Sequence, residues 1–199
     1  MSSTVLWYAS RATGAVSLVL FTAVMVLGMA TAGRAATPQL SRAAVLRLHR
    51  TVSLTALAFI GIHITTAIVD GYVDLSLTDV VVPFGAGFDP MWVGFGAVAV
   101  DLLLAIGLTS AIRRFLSPKV WRFVHLTAYA MWPLALAHGW GIAGGDGHRT
   151  WMIAVDVACG ALIAAAALRW RLWPKSHPDT IARRAGLVRH PHRDADRQP

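Results

Sequence analysis

Five apolar stretches, each long enough to cross a lipid bilayer as a helix, take up most of this 199-residue chain. They run over about residues 5–31, 46–69, 91–112, 121–141 and 150–172. A hydrocarbon core about 30 Å thick needs roughly 20 residues of helix, because a backbone N–H or C=O that meets no water must be paired within its own segment. With 56% hydrophobic and 14% charged residues and a mean hydropathy of +0.56, the chain lies outside the range of soluble domains. The expected fold class is all-α: a polytopic transmembrane helix bundle of five spans, multi-pass in the lipid bilayer of the cell (plasma) membrane. The first span has no basic region ahead of its apolar core, so it reads as a retained helix rather than a cleaved signal, although Ala30, Ala32, Ala35 and Ala36 follow it.

The charges sort by side. Arg34, Arg42, Arg47 and Arg50 lie between or beside spans one and two, and Arg113, Arg114 and Lys119 join spans three and four. The segment from Asp70 to Pro90 has no Lys or Arg and carries Asp70, Asp74, Asp79 and Asp89. By the positive-inside rule the first two connections are cytoplasmic and the acidic one faces outward, which puts the N terminus outside and the C terminus in the cytoplasm after five crossings. The net charge of +8 is thereby a topology signal; it forms no stripe on a soluble face, and no nucleic-acid partner is expected. Cys159 is the only cysteine, which excludes an intrachain disulfide and a cysteine-based metal cluster. Two regions follow: a membrane domain over 1–173, and a tail over 174–199. The tail combines prolines with Arg, His and Asp and has few large apolar residues; it is expected to be a basic, disordered cytoplasmic segment.

Four histidines lie within the apolar spans. His49 and His63 are fourteen residues apart in span two, and His125 and His138 thirteen apart in span four. Ionisable residues at membrane depth are costly and signal function by default. Both spans run from inside to outside, so His49 and His125 match in depth near the cytoplasmic face, and His63 and His138 near the outer face. The intervening helix rises roughly 20 Å, room for one cofactor in each leaflet. Neutral imidazole is a good axial ligand for haem iron, and one histidine from each helix fills both axial positions. Fourteen residues return an ideal helix to within roughly 40° of its starting face, whereas thirteen leave it roughly 140° out of phase. Pro133, between the second pair, is expected to kink or rewind that helix. Gly61, Gly139 and Gly141 offer flat surface near the ligands, as ordinary helix packing also would. A histidine-based transition-metal or proton transporter without haem is the alternative from a different class. His148, His177, His190 and His192 fall in a loop and the tail and are assigned no role.

These spacings, together with the segment Ser10, Arg11, Ala12, Thr13, Gly14 ahead of the first pair, resemble the ferric reductase-like transmembrane domain. That superfamily includes NADPH oxidases, metalloreductases and the haem subunit of periplasmic methionine sulfoxide reductase. The resemblance covers most of residues 5–172. It implies two b-type haems with His49, His63, His125 and His138 as axial ligands to the iron, and Arg11 near the outer haem. It implies transmembrane electron transfer, with an oxidoreductase membrane subunit passing electrons from a cytoplasmic flavoprotein or quinol to an extracytoplasmic acceptor: ferric iron, oxygen or a periplasmic reductase protein. Many relatives have six helices followed by a flavin and nicotinamide module. Here five spans and a short tail are expected, so the donor is expected to be separate, with no flavin or nicotinamide site in this chain. Gly139, Gly141 and Gly144 spell a dinucleotide pattern but follow a membrane helix and no strand, so the match is rejected.

Other polar groups leave choices open. The Arg11 guanidinium can hold a haem propionate or an anionic acceptor, or snorkel to the interface. Asp156 lies at a similar depth in span five, which allows an Arg11–Asp156 ion pair, and Asp101 sits mid-span in the third. Phe59, Tyr129 and Trp132 fall between the two histidine levels, where ordinary core packing is the favoured reading. The four aspartates of the outer loop are read as solvated, and only weakly as an iron site.

Overall fold

The computed structural model describes residues 3–32, 41–70, 73–143 and 149–172. The tail over 174–199, with His177, His190 and His192, lies outside the described residues, as does His148. Among the described residues the regular elements are helices: α1 (Ser3–Ala32), α2 (Arg42–Val69), α3 (Leu77–Val81), α4 (Pro90–Ala111), α5 (Pro118–Leu126), α6 (Ala128–Ile142) and α7 (Arg149–Leu172), with a 3-10 turn at Arg113–Phe115 before α5. Starts follow local chemistry. Ser41 and Ser117 accept from Ala44 N–H at 3.2 Å and Val120 N–H at 3.3 Å, each cap worth about 1 kcal/mol, and Pro118 and Pro90 stand at first helical positions where a missing N–H costs nothing.

Four helices are long and apolar enough to cross a membrane: Thr4–Thr31, Arg42–Val69, Pro90–Ala111 and Thr150–Arg169. The fourth stretch of the sequence, over 121–141, is two helices rather than one. The interruption falls at Thr127 and not at Pro133, which lies inside α6. Thr127 turns both its polar groups on Val124: its N–H reaches that carbonyl at 3.0 Å and its hydroxyl at 2.6 Å. Those bonds tighten the chain to 3-10 pitch and restart the helix. Pro133 comes within the first two turns of α6, where the carbonyl it would leave without a partner is that of Tyr129, so its cost is borne near a helix end.

α1 is the hub, packing along α2 and against α6 and α7, while α4 packs against α3, α5 and α6. The core gathers Leu18, Phe21 and Met25 of α1 with Ala56, Ala99, Met131, Trp132 and Cys159. Two hydroxyls sit within it. Ser17 and Thr22 donate to the carbonyls of Thr13 and Leu18 one turn back, at 2.7 and 2.8 Å, which satisfies them where no water reaches. The Trp132 indole then donates to the Thr22 hydroxyl at 2.9 Å and locks α6 to α1. Trp132 is thus core, as its position in the sequence suggested, whereas Tyr129, read in the same way, is 50% exposed and points away from the core. Gly141 and Gly94 leave the space taken by the rings of Trp92 and Phe84, so the start of α4 and the end of α6 meet closely.

α3 and its loop cap this end of the bundle. Ser76 N–H and its hydroxyl donate to the Asp79 carboxylate at 2.8 and 2.6 Å, which holds that carboxyl below its ordinary value of 3.8. A depressed acid stabilises the folded state above the unfolded value, and this contribution disappears as pH falls through the lower, folded one. Protection of the amides within Leu77–Val81, taken as the intrinsic over the observed exchange rate, should therefore fall as pH drops below about 3.8, while Asp79→Asn should lower it at neutral pH and remove that fall.

Candidate functional site

The four membrane histidines come together as the depth argument pairs them. The ring centres of His63 and His138 lie 6.3 Å apart with planes at 80°, and those of His49 and His125 also 6.3 Å apart with planes at 61°. α2 carries one member of each pair. α6 carries His138, and the short α5 carries His125. The break at Thr127 separates His125 from His138, so the phase of a continuous helix does not apply to them.

Three of the four rings are fixed in the same manner. The Nδ1 of His63 is 2.8 Å from the Ser10 carbonyl, that of His138 is 2.8 Å from the Trp92 carbonyl, and that of His49 is 3.2 Å from the Val24 carbonyl. A carbonyl only accepts, so in each case Nδ1 carries the proton and donates. Nε2 of the neutral ring is left with its lone pair, the state a metal ligand requires, and the carbonyl sets the ring's direction.

A glycine stands four residues after each of those carbonyls. The pairs are Ser10 and Gly14, Val24 and Gly28, and Trp92 and Gly96. The carbonyl of a helical residue points along the axis towards the residue four ahead, so a side chain there would block approach from the flank. A Cβ on Gly14 would lie 3.0 Å from the His63 ring, one on Gly96 2.7 Å from His138 Nδ1, and one on Gly28 3.7 Å from His49. The sequence held this signal. Gly14 and Gly28 are fourteen apart, as are His49 and His63, and α1 runs antiparallel to α2, so each glycine meets one histidine. Sequence reasoning missed Gly28 and Gly96 and favoured other glycines: Gly61 has open space beside it, Gly139 faces the Asp156 carboxylate, and Gly141 accommodates Trp92.

A cavity of about 240 Å³ lies between His63 and His138, lined also by Ser10, Arg11, Phe21, Met131 and Ala135. Arg11 is brought to the site but does not pair with Asp156. It donates to the Ala143 carbonyl at 3.0 Å, contacts the Met152 sulfur at 3.4 Å and lies over the Trp7 ring at 4.0 Å. The end of α6 offers carbonyls without helical partners, and a cation there meets the negative end of the helix dipole. Asp156 is buried with Oδ2 unpartnered. Asp70, 3% exposed at the end of α2, lines the cavity with Oδ1 unpartnered. Among the described residues no group of three or more His, Cys, Asp or Glu is arranged to hold a metal ion.

The model of a family described as ferric reductase like transmembrane component matches residues 13–136. The matched range contains His49, His63 and His125 and ends two residues before His138. No curated protein and no solved structure matches the chain.

Replacing a helical glycine by alanine gains up to about 1 kcal/mol where there is room and costs about 1–3 kcal/mol where a packed ring must move. Gly96→Ala should lower the melting temperature of the purified protein, Gly14→Ala should lower it less, and Gly28→Ala should leave it unchanged or raise it.

Proposed function

The chain belongs to the ferric reductase-like transmembrane family, an oxidoreductase-type membrane domain, and from that premise we propose that it conducts electrons across the membrane through two b-type haems. His49 and His125 would hold the inner haem, and His63 and His138 the outer. The observation that carries this reading is the matched spacing of the two ring pairs. A metal–imidazole nitrogen bond is about 2 Å, and a five-membered ring with bonds of about 1.33 Å has its centre about 1.1 Å from each nitrogen, so two rings holding one iron between them would have centres roughly 6.2 Å apart. Both pairs stand at 6.3 Å.

The protonated Nδ1 on three rings supports the same reading, because it leaves Nε2 free to ligate. So does the ligand count. Two histidines without a third protein ligand among the described residues make a poor site for a bare transition metal, which takes about four protein ligands in a closed site; they suit a metal whose other positions a macrocycle fills. This weighs against the metal-transporter alternative. When bound, haem supplies reversible one-electron chemistry that no side chain here provides.

The chain's own residues then set the path. The cavity at His63 and His138 is walled mainly by apolar side chains, and Arg11, held by the Ala143 carbonyl, places a fixed positive charge in that wall. α5 and α6 together cover Pro118–Ile142, long enough to act as one interrupted crossing, which completes five spans with the N terminus outside and the C terminus in the cytoplasm. On that topology Arg42, Arg47, Arg50, Arg113, Arg114 and Lys119 face the cytoplasmic donor, a separate flavoprotein or a quinol. The acidic loop faces the acceptor, which is ferric iron, oxygen or an extracytoplasmic reductase protein.

Reduced-minus-oxidised spectra of protein made in haem-replete cells test the assignment. The intact chain should carry about two b-type haems, and His49→Ala or His125→Ala should each leave one, as should His63→Ala or His138→Ala. The two groups of variants should retain haems of different potential. A haem-free intact chain would overturn the proposal, and loss of both haems from every variant would overturn the pairing.

A further inference from the structure

His125 is held differently from the other three histidines. Its Nδ1 is buried and has no hydrogen-bond partner, whereas the other three donate to backbone carbonyls. No glycine seat serves it: a Cβ on Gly107, the remaining glycine of α4 towards the inner end, would meet nothing within 4 Å. Instead the imidazole lies on the indole of Trp121, one turn earlier in α5, with ring centres 4.8 Å apart and planes at 22°. The Arg113 guanidinium covers the same indole at 4.0 Å from its centre. Trp121 Nε1 is itself buried without a partner, so the indole is located by contact through its ring and not by a hydrogen bond.

We propose that Trp121, backed by Arg113, is the positioning residue for His125, and through it for the inner haem. The inference rests on the haem reading above. A flat ring lying on an imidazole restrains its tilt, the freedom that a carbonyl removes at the other three ligands. Helix geometry explains why this position needs a different device. Trp121 and His125 are four residues apart and share one face of α5, and that nine-residue helix packs against α4 and α6 but not along the carbonyl-lined flank of α1 that receives His49 and His63. Arg113 belongs to the turn between α4 and α5, so the stack of guanidinium, indole and imidazole ties the inner ligand to the end of α4. Arg113 is exposed and Trp121 half-buried, so the stack leads from the surface to the ligand. The arrangement also predicts inequality. The inner haem has one ligand polarised by a carbonyl and the outer haem two, and a ligand nitrogen made more basic in that way favours the oxidised metal.

The test uses the full-length protein with Trp121→Phe, Trp121→Leu, Arg113→Ala and His125→Ala, reading haem per chain, the low-temperature electron paramagnetic resonance of the oxidised haems and their midpoint potentials. Trp121→Phe keeps a ring face and should match the intact protein. Trp121→Leu fills space without a ring face; it should shift or broaden the inner-haem resonance and move the inner potential, with the outer haem unchanged. Arg113→Ala should do the same to a smaller degree. A Trp121→Leu protein with an unaltered inner haem would overturn the inference while His125→Ala, losing about one haem of two, upheld the haem reading. Retention of both haems by His125→Ala would instead overturn the haem reading itself.

Discussion

The bond from an imidazole N–H to a backbone carbonyl is what the rest of this structure serves. At membrane depth a polar ring without a partner is costly, and the partners that a helix can lend are carbonyls already used in its own ladder. A carbonyl oxygen has a second lone pair, but it can be reached only if the flank beside it is bare. Ser10, Val24 and Trp92 supply the carbonyls, and Gly14, Gly28 and Gly96 the bare flanks. Each of these three rings thus meets its polar requirement, its tautomer and its direction in one contact, which leaves Nε2 without the proton.

The bundle is arranged to make those contacts. α1 gives two of the three carbonyls to α2, and α4 gives the third to α6, so the two close helix pairs are also the pairs that fix the histidine rings. α1 is held to α6 through Trp132 and Thr22, which joins the pairs and brings the rings opposite one another at both levels. The level of His63 and His138 is the more enclosed, with a cavity, Arg11 and the cap of α3 around it. The level of His49 and His125 depends on a short helix after a turn, and there an aromatic stack stands in for a carbonyl.

Much of this was legible in the sequence. Hydrophobic length identified the four long helices, and like spacing paired His49 with His125 and His63 with His138, because depth depends only on counting residues along two helices that run the same way. What counting does not give is which faces meet. The Arg11–Asp156 pair fails on this ground: similar depth does not imply facing side chains, and the carbonyls at the end of α6 were nearer. Pro133 drew attention as the strongest helix breaker, yet Thr127 makes the break through its own hydroxyl, a weaker local preference that prevails between two short helices. The glycine seats were hidden for a similar reason. Gly61, Gly139 and Gly141 are near the histidines in sequence, whereas Gly14, Gly28 and Gly96 are near them in space, and only the shared fourteen-residue interval of α1 and α2 pointed from one to the other.

The account's central claim is that two histidines from different helices hold each of two irons. The most direct measurement is the near-infrared magnetic circular dichroism of the oxidised, haem-loaded protein, with haem and protein quantified on the same sample. The account predicts two low-spin ferric haems per chain, both with the charge-transfer signature of two neutral imidazole ligands. One haem per chain, or a high-spin or non-imidazole signature at either level, would contradict it.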